Sequence, residues 1–407
     1  MERSFKNVKI TPKGERALRS GHPWVYADEI TAQSAPIENG ELTDVFSSKD
    51  KYLGTGFYNE NSKIRVRLLS RNTNDRFDEA FFDRRIRYAV EYRKQVMGSD
   101  FHCCRLIFGE ADMLPGLTVD LFENILVTEV LCLGIDQRKE ILFRSLVSVL
   151  KENGIDVQAV YERNDSPLRD KEGLEKYCSF YPLDGLKTDL NGHVILSENG
   201  ILYDVDYIRG QKTGFFLDQK YNRLAAAKLA EGKNVLDCFT HTGAFALNCV
   251  RGGAAHVTAV DISAEAIELT KQNAERNGYT EKMDFITADV FDYLTELSEK
   301  KSHPYDFIIL DPPAFTKSSS TVKNAARGYK EINMKAMRLL PRGGYLATCS
   351  CSHFMTDELF QKILDEAALD ASVQLRQIEA RQQAPDHPIL RNVPETAYLK
   401  FYLFQVV

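Results

Sequence analysis

The sequence has 407 residues, of which 43% are hydrophobic and 27% are charged, and its formal net charge is −6. This length predicts about two to three domains, and the composition is typical of a folded globular protein rather than of a disordered chain. No apolar run reaches the ~18 residues that a membrane-spanning helix needs and the charged N-terminus lacks a signal peptide's apolar segment, so we expect a cytoplasmic protein without a membrane partner.

The eight cysteines are too few for a secreted scaffold held together by disulfides. They form no C-x2-C pair that is matched by a second such pair, so a zinc site is not predicted. We therefore expect reduced thiols and no bound metal.

Residues 1–73 are predicted to form a small β-barrel. Short runs of strand-forming residues are separated by turn residues, and these runs are "NVKI", "PWVYA", "LTDVFS", "YLGTGFY" and "KIRVRLLS". The last run alternates Lys63, Arg65 and Arg67 with apolar residues, which predicts a strand with one cationic face. The region carries 12 Lys and Arg against 9 Asp and Glu, so an acidic chain can still present a basic, nucleic-acid-binding face here. An ordinary half-exposed strand is the alternative.

Residues 74–190 are interpreted as a central α+β domain that begins with a linker helix. The stretch 75–96 has apolar residues at helical spacing, with acidic residues early and basic residues late. It is followed by a hairpin-rich sheet from Cys103, a helix near 136–152 and a further strand at "VQAVYER".

Residues 191–407 are predicted to form a doubly wound parallel sheet, because apolar strands alternate with amphipathic helices. The strands are "NVLDCF", "HVTAVD", "MDFITAD", "DFIILDPP" and "GYLATCS", and the helices are near 243–251, 263–277 and 324–340. Ligands of such sheets lie beyond the carboxyl ends of the strands. We therefore look for functional residues immediately after each strand.

The first three strand ends predict a cofactor site. Asp237 ends the first strand, Gly243 opens the next helix, and Asp261 and Asp289 end the second and third strands. A dinucleotide needs a G-x-G-x-x-G loop, whereas Gly243 is the only glycine between 237 and 246. An acidic turn suits the amino acid and sulfonium of S-adenosylmethionine (SAM) better. A helix N-cap is the alternative for each aspartate taken singly.

The fourth strand ends in "IILDPPAFTK", residues 308–317. Pro312 and Pro313 delay the start of the next helix, so that Asp311 projects into the predicted cleft. An Asp-Pro-Pro segment with a nearby aromatic residue is a signal of methyl transfer to planar bases. Phe315 is positioned for stacking on such a base, and a packed loop phenylalanine is the alternative.

The fifth strand ends in "ATCSCS", where Cys349 lies inside the strand and Cys351 at its exit. Alternation along the strand favours a buried, structural Cys349. Cys351 faces the predicted cleft, and a helix that begins near Thr356 favours its thiolate. A thiolate that adds to carbon 6 of a pyrimidine makes carbon 5 nucleophilic, whereas methylation of an exocyclic amine needs no such step. Cys351 therefore favours methylation of carbon, with a bystander cysteine as the alternative.

The chain resembles, over nearly its whole length, the large-subunit ribosomal RNA methyltransferase I family of cytosine-5 methyltransferases. The matching segments are "GHPWVYADEI", "GTGFYNENSKIRVRLLS", "GEADMLPGLTVD", "KTGFFLDQ", "LDCFTHTGAFA", "LDPPAF", "RGYKEIN", "SCS" and "DHP". The resemblance implies an N-terminal PUA-like barrel, a central α+β domain and a C-terminal class I SAM methyltransferase domain with a Rossmann-like sheet.

The resemblance also implies roles for individual residues. Cys351 matches the nucleophile, and Asp311 matches the residue placed against the pyrimidine ring. The implied SAM-binding set is Asp237, Thr242, Gly243, Asp261, Ile262, Asp289, Val290, Asp311 and Gln219, and the implied RNA-binding set is Pro312, Pro313, Phe315, Lys63, Arg65 and Arg67.

One departure concerns product release. Many related enzymes have a second cysteine after the proline of the fourth-strand motif, whereas Ala314 follows Pro313 here, so Cys351 is expected to act alone. No role is assigned to Cys349, and His387, between Asp386 and Pro388, is either a loop residue over the substrate or structural.

The sequence therefore predicts a SAM-dependent RNA methyltransferase that forms 5-methylcytosine in large-subunit ribosomal RNA. A purine N-methyltransferase with an idle Cys351 and a non-catalytic RNA-binding protein are the two alternatives. The sequence leaves open which nucleotide is modified and whether the protein forms a homodimer.

Overall fold

The computed structural model describes residues 5–300, 304–316 and 318–407, so that Lys317, at the end of the predicted fourth-strand segment, lies outside the described residues. The chain forms two compact units. The first comprises Met1–Leu196, Asp204–Leu217 and Pro385–Thr396, and the second comprises Ser197–Tyr203, Asp218–Ala384 and Ala397–Val407. Residues 191–196, 204–217 and 385–396, which we expected in the last domain, lie in the first unit.

The first unit begins with a six-stranded sheet in the order β2-β6-β5-β4-β1-β3. Its strands are β1 (Asn7–Ile10), β2 (Trp24–Tyr26), β3 (Ile30–Gln33), β4 (Leu42–Ser47), β5 (Tyr52–Tyr58) and β6 (Ile64–Ser70), and helix α1 (Pro12–Arg19) follows β1. The five predicted strands are present, whereas α1 and β3 were not predicted. Val66 and Leu68 of β6 are buried in the barrel core, as the alternation of that strand predicts.

The central part of the first unit is a five-stranded sheet in the order β11-β10-β9-β8-β7. The predicted linker helix is α2 (Glu79–Met97), which Asp78 caps by accepting a hydrogen bond from the Phe81 N–H. The other elements are β7 (Cys103–Phe108), β8 (Leu117–Phe122), β9 (Ile125–Val130), α3 (Leu133–Asp136), α4 (Lys139–Glu152), β10 (Ala159–Asn164) and β11 (Tyr177–Phe180). A two-stranded sheet of β12 (His193–Glu198) and β13 (Ile201–Asp206) follows.

The second unit is built on a seven-stranded sheet in the order β16-β15-β14-β17-β18-β20-β19. Its strands are β14 (Asn234–Cys238), β15 (His256–Asp261), β16 (Met283–Thr287), β17 (Phe307–Leu310), β18 (Tyr345–Ser350), β19 (Leu375–Arg381) and β20 (Lys400–Val406). Residues of β14 and β17 are buried almost throughout, because helices cover both faces of the sheet.

The helices of the second unit are α5 (Lys220–Ala227), α6 (Ala244–Arg251), α7 (Ala264–Arg276), α8 (Val290–Glu299), α9 (Val322–Leu339) and α10 (Asp357–Ala371). The predicted helix start near Thr356 is confirmed, since its side chain accepts from the Leu359 N–H at 3.3 Å. The apolar faces of α9 and α10 pack with Leu236, Ile308 and Leu346 in one hydrophobic core.

The strand directions correct one prediction. The five predicted strands are parallel, but β20 runs antiparallel to β18 and β19 antiparallel to β20, so the sheet is mixed. The chain winds outward from β14 in one direction through β15 and β16, and in the other direction from β17. The carboxyl ends of β14 and β17 therefore form the topological switch point, where ligands of doubly wound sheets bind.

Candidate active site

The loop after β14 is held in an unusual backbone conformation. Phe239, His241 and Gly243 have φ values of 62°, 51° and 79°, which lie in the left-handed region that non-glycine residues rarely adopt. A Cβ atom on Gly243 would lie 2.5 Å from Cγ2 of Thr270, so only glycine fits there. Such strain persists where the surrounding structure enforces it, and it is concentrated at functional sites.

Asp237, near the end of β14, is buried beside this loop, and only one of its two carboxylate oxygens has hydrogen-bond partners among the described residues. Oδ2 accepts hydrogen bonds from Thr240 Oγ1 at 2.6 Å and from the Ala246 N–H at 3.0 Å. Oδ1 has no hydrogen-bond partner among the described residues. Burial raises the pKa of Asp237 to about 7, against the two hydrogen bonds, which lower it. A buried carboxylate oxygen without a donor fits a cationic ligand group, such as the amino group of SAM.

The other predicted cofactor residues lie at neighbouring strand ends. Asp261 accepts from the backbone N–H groups of His241 and Ser263, each at 3.0 Å, and thereby ties the loop after β14 to the end of β15. The Ile262 side chain is 68% exposed, which is unusual for an isoleucine next to a buried sheet. Thr242 is buried and its carbonyl accepts from Asn273 Nδ2 at 3.1 Å.

Two predictions at the third strand end need qualification. Asp289 is the N-cap of α8, accepting from the Phe291 N–H at 2.7 Å, as the alternative reading proposed. Val290 is 2% exposed and its side chain lies in the hydrophobic core, so the predicted contact of Val290 with the cofactor would be made by its backbone.

Asp311 follows β17 and is half-buried at the switch point. Its Oδ1 accepts from Gln219 Nε2 at 3.0 Å, and the Cys349 thiol donates to the same carboxylate. Gln219 is held in turn by Asn222, whose Nδ2 donates to Gln219 Oε1 at 2.6 Å, and Arg381 Nε donates to Asn222 Oδ1 at 3.1 Å. Burial, reinforced by the charge of Asp218, raises the pKa of Asp311 to about 6.

The triplet Ser350-Cys351-Ser352 at the end of β18 is fixed on both sides of the cysteine. Ser350 Oγ bonds Tyr329 Oη at 3.1 Å, and Ser352 Oγ donates to the Thr316 carbonyl at 2.8 Å. Both serines are buried, whereas Cys351 is half-buried and its Sγ lies 4.0 Å from the Pro312 carbonyl oxygen. The structure thus brings Cys351 beside the Asp-Pro-Pro segment, as predicted.

Cys349 is fully buried, as the alternation along β18 predicts. Burial raises the pKa of its thiol well above the usual value, and the nearby Asp311 adds to the shift. A neutral thiol is a hydrogen-bond donor, so Cys349 supports the carboxylate of Asp311 rather than acting as a nucleophile.

Phe315 does not have the environment that we expected for a base-stacking residue. Its ring packs against Tyr329, Phe291 and Phe239, with centroid distances of 4.6, 5.9 and 6.4 Å. The alternative reading, a packed loop phenylalanine, describes this side chain. Of the two prolines, Pro312 is buried and Pro313 is exposed.

The predicted cationic face of β6 needs a similar correction. Arg67 is ion-paired with Glu110 at 3.0 Å and Glu172 at 3.2 Å, and its guanidinium carbon lies 5.6 Å from the Trp24 ring centroid. Arg65 donates to the backbone carbonyls of residues 59 and 60, and Lys63 is exposed. Arg67 is therefore occupied within the first unit, and only Lys63 of the three presents an exposed charge.

His387 is a structural residue of the first unit. It is 2% exposed, its Nδ1 bonds Asp386 Oδ1 at 2.9 Å, and its ring centroid lies 5.5 Å from that of Phe108. Asp386 also accepts from the Arg105 N–H at 2.8 Å. The structural alternative of the sequence analysis thus describes this histidine.

Sequence reasoning missed Lys400, the first residue of β20. It pairs with Ser350 in the strand register, and its Nζ donates to the Ser352 carbonyl at 2.6 Å and to the Tyr398 carbonyl at 2.8 Å. The only available signal was a lysine at the start of an apolar strand. Its partner strand lies far away in the sequence, so the pattern could not indicate its neighbours.

Within the described ranges, no group of three or more His, Cys, Asp or Glu side chains is arranged to hold a metal ion. In the same ranges, no helix is both long and apolar enough to cross a membrane.

Comparison with known proteins identifies relatives of both parts of the chain. Residues 8–71 match the PUA-like domain family, and residues 177–405 match the S-adenosylmethionine-dependent methyltransferase family. The ribosomal RNA large subunit methyltransferase I of Pseudoalteromonas atlantica is 39% identical over 98% of this chain and 99% of its own. The protein of the same name from Klebsiella pneumoniae is 37% identical over 99% of both chains.

Solved structures share the fold. A protein from Streptococcus mutans that is described as a SAM-dependent methyltransferase superimposes with a TM-score of 0.81 at 21% identity, over 98% of this chain and 100% of the other. A methyltransferase structure in complex with SAH matches with a TM-score of 0.82, also at 21% identity and over the same shares of the two chains.

Proposed function

The chain belongs to the SAM-dependent ribosomal RNA large subunit methyltransferase I family, and from this premise we propose that it methylates carbon 5 of a cytosine in large-subunit ribosomal RNA. The single observation that carries the proposal is the position of Cys351. A half-buried thiol lies beside the Asp-Pro-Pro segment at the switch point, between two buried serines that hold it in place.

The proposed cofactor site is the strained loop after β14 with its neighbours. SAM supplies an electrophilic methyl carbon on a sulfonium when it is bound. Asp237 Oδ1 would accept a hydrogen bond from its amino group, Asp261 would face its ribose, and the exposed Ile262 would contact its adenine. Thr242, Gly243, Asp289 and the backbone of Val290 would line the same site. Gln219 we assign to the support of Asp311 rather than to direct cofactor contact.

The proposed chemistry begins with Cys351. Its thiolate adds to carbon 6 of the cytosine, which places an electron pair on carbon 5. Carbon 5 would then form its bond to the methyl carbon as the bond between that carbon and the sulfonium sulfur breaks, with the electron pair of the broken bond left on a neutral thioether. A base then removes the carbon 5 proton, the double bond between carbons 5 and 6 re-forms, and the thiolate leaves.

Asp311 would stabilise the charge that develops on the ring during addition. Its pKa is raised to about 6, so a fraction of the side chain is protonated near neutral pH and can donate a hydrogen bond to the ring. Gln219 and Cys349 hold the carboxyl group in one orientation.

For the RNA, the proposal relies on the PUA-like barrel and on Pro313 at the rim of the fourth-strand segment. Lys63 is the exposed charge of β6 that would meet a phosphate, with Arg65 beside it. Phe315 and Arg67 would contribute to RNA binding only indirectly, because Phe315 is packed against Tyr329 and Arg67 is ion-paired with two glutamates.

The test uses large-subunit RNA tritiated at carbon 5 of cytosine, incubated with the protein and SAM. Formation of 5-methylcytosine releases one tritium to water for each methyl group incorporated. The Cys178→Ala variant, which removes the exposed thiol of the first unit, serves as the control for unspecific thiol effects. Methyl incorporation into a purine with retention of tritium would overturn the proposal.

A further inference from the structure

Lys400, the first residue of β20, is a buried cation beside the end of β18, the strand that precedes the proposed nucleophile. It is 7% exposed, although lysine is among the residues that are almost never buried without a partner. Its position is set by the antiparallel pairing of β18 with β20, which brings Ser350 opposite Lys400. Cys351, the next residue after Ser350, therefore leaves the sheet beside this ammonium group.

The hydrogen bonds of Lys400 hold the backbone around the cysteine. Its Nζ donates at 2.6 Å to the carbonyl of Ser352 and at 2.8 Å to the carbonyl of Tyr398. Backbone carbonyls are neutral acceptors, so they hold the ammonium without cancelling its charge. No salt bridge to Lys400 occurs in the described part of the chain.

We propose that Lys400 positions Cys351 and favours its thiolate form, by holding an ammonium charge outside any salt bridge of the described residues at the exit of β18. The inference rests on the proposed function of Cys351 and goes beyond it, since nothing in that function requires a particular cation. The residue acts through Cys351 and is therefore a positioning residue, not a catalytic one.

Among the residues that the structure describes, the other ionisable groups near this strand end do not supply the charge. They are Tyr329 of α9, Asp311 after β17, Asp357 at the start of α10, Cys349 of β18 and His353 of the following loop. Tyr329 and Cys349 are kept neutral by burial, which raises the pKa of each. Asp311 and Asp357 are carboxylates, which oppose a thiolate, and His353 is exposed with its ring centroid 5.6 Å from that of Phe354.

The electrostatic balance of Lys400 agrees with the geometry. Burial lowers the pKa of the Lys400 ammonium to about 8, whereas the negative charges of Cys351 and Asp357 raise it. Interaction between two charges is reciprocal, so an ammonium that is stabilised by the Cys351 thiolate stabilises that thiolate equally. Below about pH 8, the lysine is charged and the effect on Cys351 is present.

The experiment measures thiolate formation without RNA, cofactor or methyl transfer. All eight cysteines are described: Cys178 is exposed, Cys351 is half-buried and the other six are buried, so a Cys178→Ser background leaves Cys351 as the most accessible thiol. The rate of Cys351 alkylation by iodoacetamide, followed by peptide mass spectrometry from pH 5 to 10, gives the pH midpoint of thiolate formation.

Two matched variants separate charge from hydrogen bonding. Lys400→Arg and Lys400→Gln can both donate to the Ser352 carbonyl, but only arginine carries a charge. We expect the alkylation midpoint of Lys400→Gln to rise by about one pH unit or more and that of Lys400→Arg to remain within a few tenths of the parent value. A Lys400→Met variant, which removes both features, should rise at least as far as Lys400→Gln.

An unchanged midpoint in Lys400→Gln, with a melting temperature equal to that of Lys400→Arg, would overturn the inference. Equal upward shifts in Lys400→Gln and Lys400→Arg would also overturn it, because the effect would then be structural. A failure of the proposed function appears elsewhere, as tritium retention or as methylation by a Cys351→Ala variant. Such a failure leaves the coupling between Lys400 and Cys351 measurable.

Discussion

The loop after β14 and the turn after β18 lie at strand ends of the same sheet, but they satisfy their polar groups in opposite ways. At the end of β14, a buried carboxylate oxygen of Asp237 has no donor among the described residues, and three residues of the loop that follows have left-handed backbone conformations. In the turn, Ser350, Ser352 and Lys400 are bonded to other parts of the chain around Cys351. Unmet bonding capacity marks the place for a ligand, whereas satisfied bonding fixes the geometry of a reactive group.

The largest expected effect is that of Cys351→Ala, which should affect methylation but not cofactor binding. Loss of a nucleophile should lower the methylation rate by on the order of 10³-fold or more, while the affinity for SAM stays within about twofold. Methylation is measured by incorporation of labelled methyl groups and affinity by calorimetry. The Cys178→Ala variant should retain both properties, and substantial methylation by Cys351→Ala would exclude the covalent mechanism.

The converse variant is Asp237→Asn. Asparagine can still accept from Thr240 and the Ala246 N–H through its oxygen, but it then turns an NH₂ group toward the site of the unpaired Oδ1. Loss of one charge-assisted hydrogen bond should weaken SAM binding by about 10- to 100-fold. Alkylation of Cys351 by iodoacetamide should not change. Normal SAM binding by Asp237→Asn would contradict the claim that the unpaired oxygen of Asp237 marks a ligand position.

Much of this comparison was predictable from sequence, because the ends of successive parallel strands meet at one edge of a sheet. Asp237 lies near the end of β14, and Asp311 and Cys351 directly follow β17 and β18, so local pattern and topology were sufficient to bring them together. The predicted strands of the barrel and the helix α2 were equally local. Burial patterns of this kind can be predicted from the few residues on either side of each position in the sequence.

What the sequence could not indicate depends on distant partners. Lys400 reaches the backbone beside Cys351 only because β20 reverses direction and pairs with β18, and no periodicity in the sequence predicts this pairing. Arg67 is neutralised by Glu110 and Glu172, which lie in the following part of the first unit. Phe315 is packed against Tyr329 of α9 rather than exposed, because the described loop folds back onto the core.

The unpaired carboxylate should also be visible in the stability of the protein without SAM. The pKa of Asp237 is about 7 in the folded chain against an ordinary 3.8, so between these values the folded chain holds a proton that the unfolded chain has lost. Stability therefore falls as pH rises through this window, by up to about 4 kcal/mol.

Melting temperatures at pH 5 and pH 8 provide the measurement. The fall between the two pH values should be smaller in Asp237→Asn than in the parent protein, and saturating SAM should reduce the difference. Asp365→Asn, which changes an exposed aspartate of α10, is the matched control and should melt as the parent does. An identical pH dependence in Asp237→Asn would mean that this carboxylate is not held in its raised-pKa state.

The smallest predicted effect concerns Gln219, which donates at 3.0 Å to Asp311 after β17, the strand that lies between β14 and β18. This hydrogen bond lowers the pKa of Asp311 against the stronger effect of burial. Gln219→Ala removes it, so the pKa of Asp311 rises and the protonated form persists to higher pH. If the protonated carboxyl acts on the cytosine ring, the falling limb of the kcat profile should move upward by about half a pH unit.

The direction of that shift decides which form of Asp311 acts. An upward shift of a falling limb identifies the acid, whereas an upward shift of a rising limb would identify the carboxylate as the active form. The Gln377→Ala variant, which changes an exposed glutamine of β19, should leave the profile in place. Asn222 donates a hydrogen bond to Gln219 and accepts one from Arg381. Asn222→Ala should therefore shift the limb of the kcat profile in the same direction as Gln219→Ala, but by less. Such a graded pair would show that the orientation of Asp311 is set by this chain of hydrogen bonds and not by burial alone.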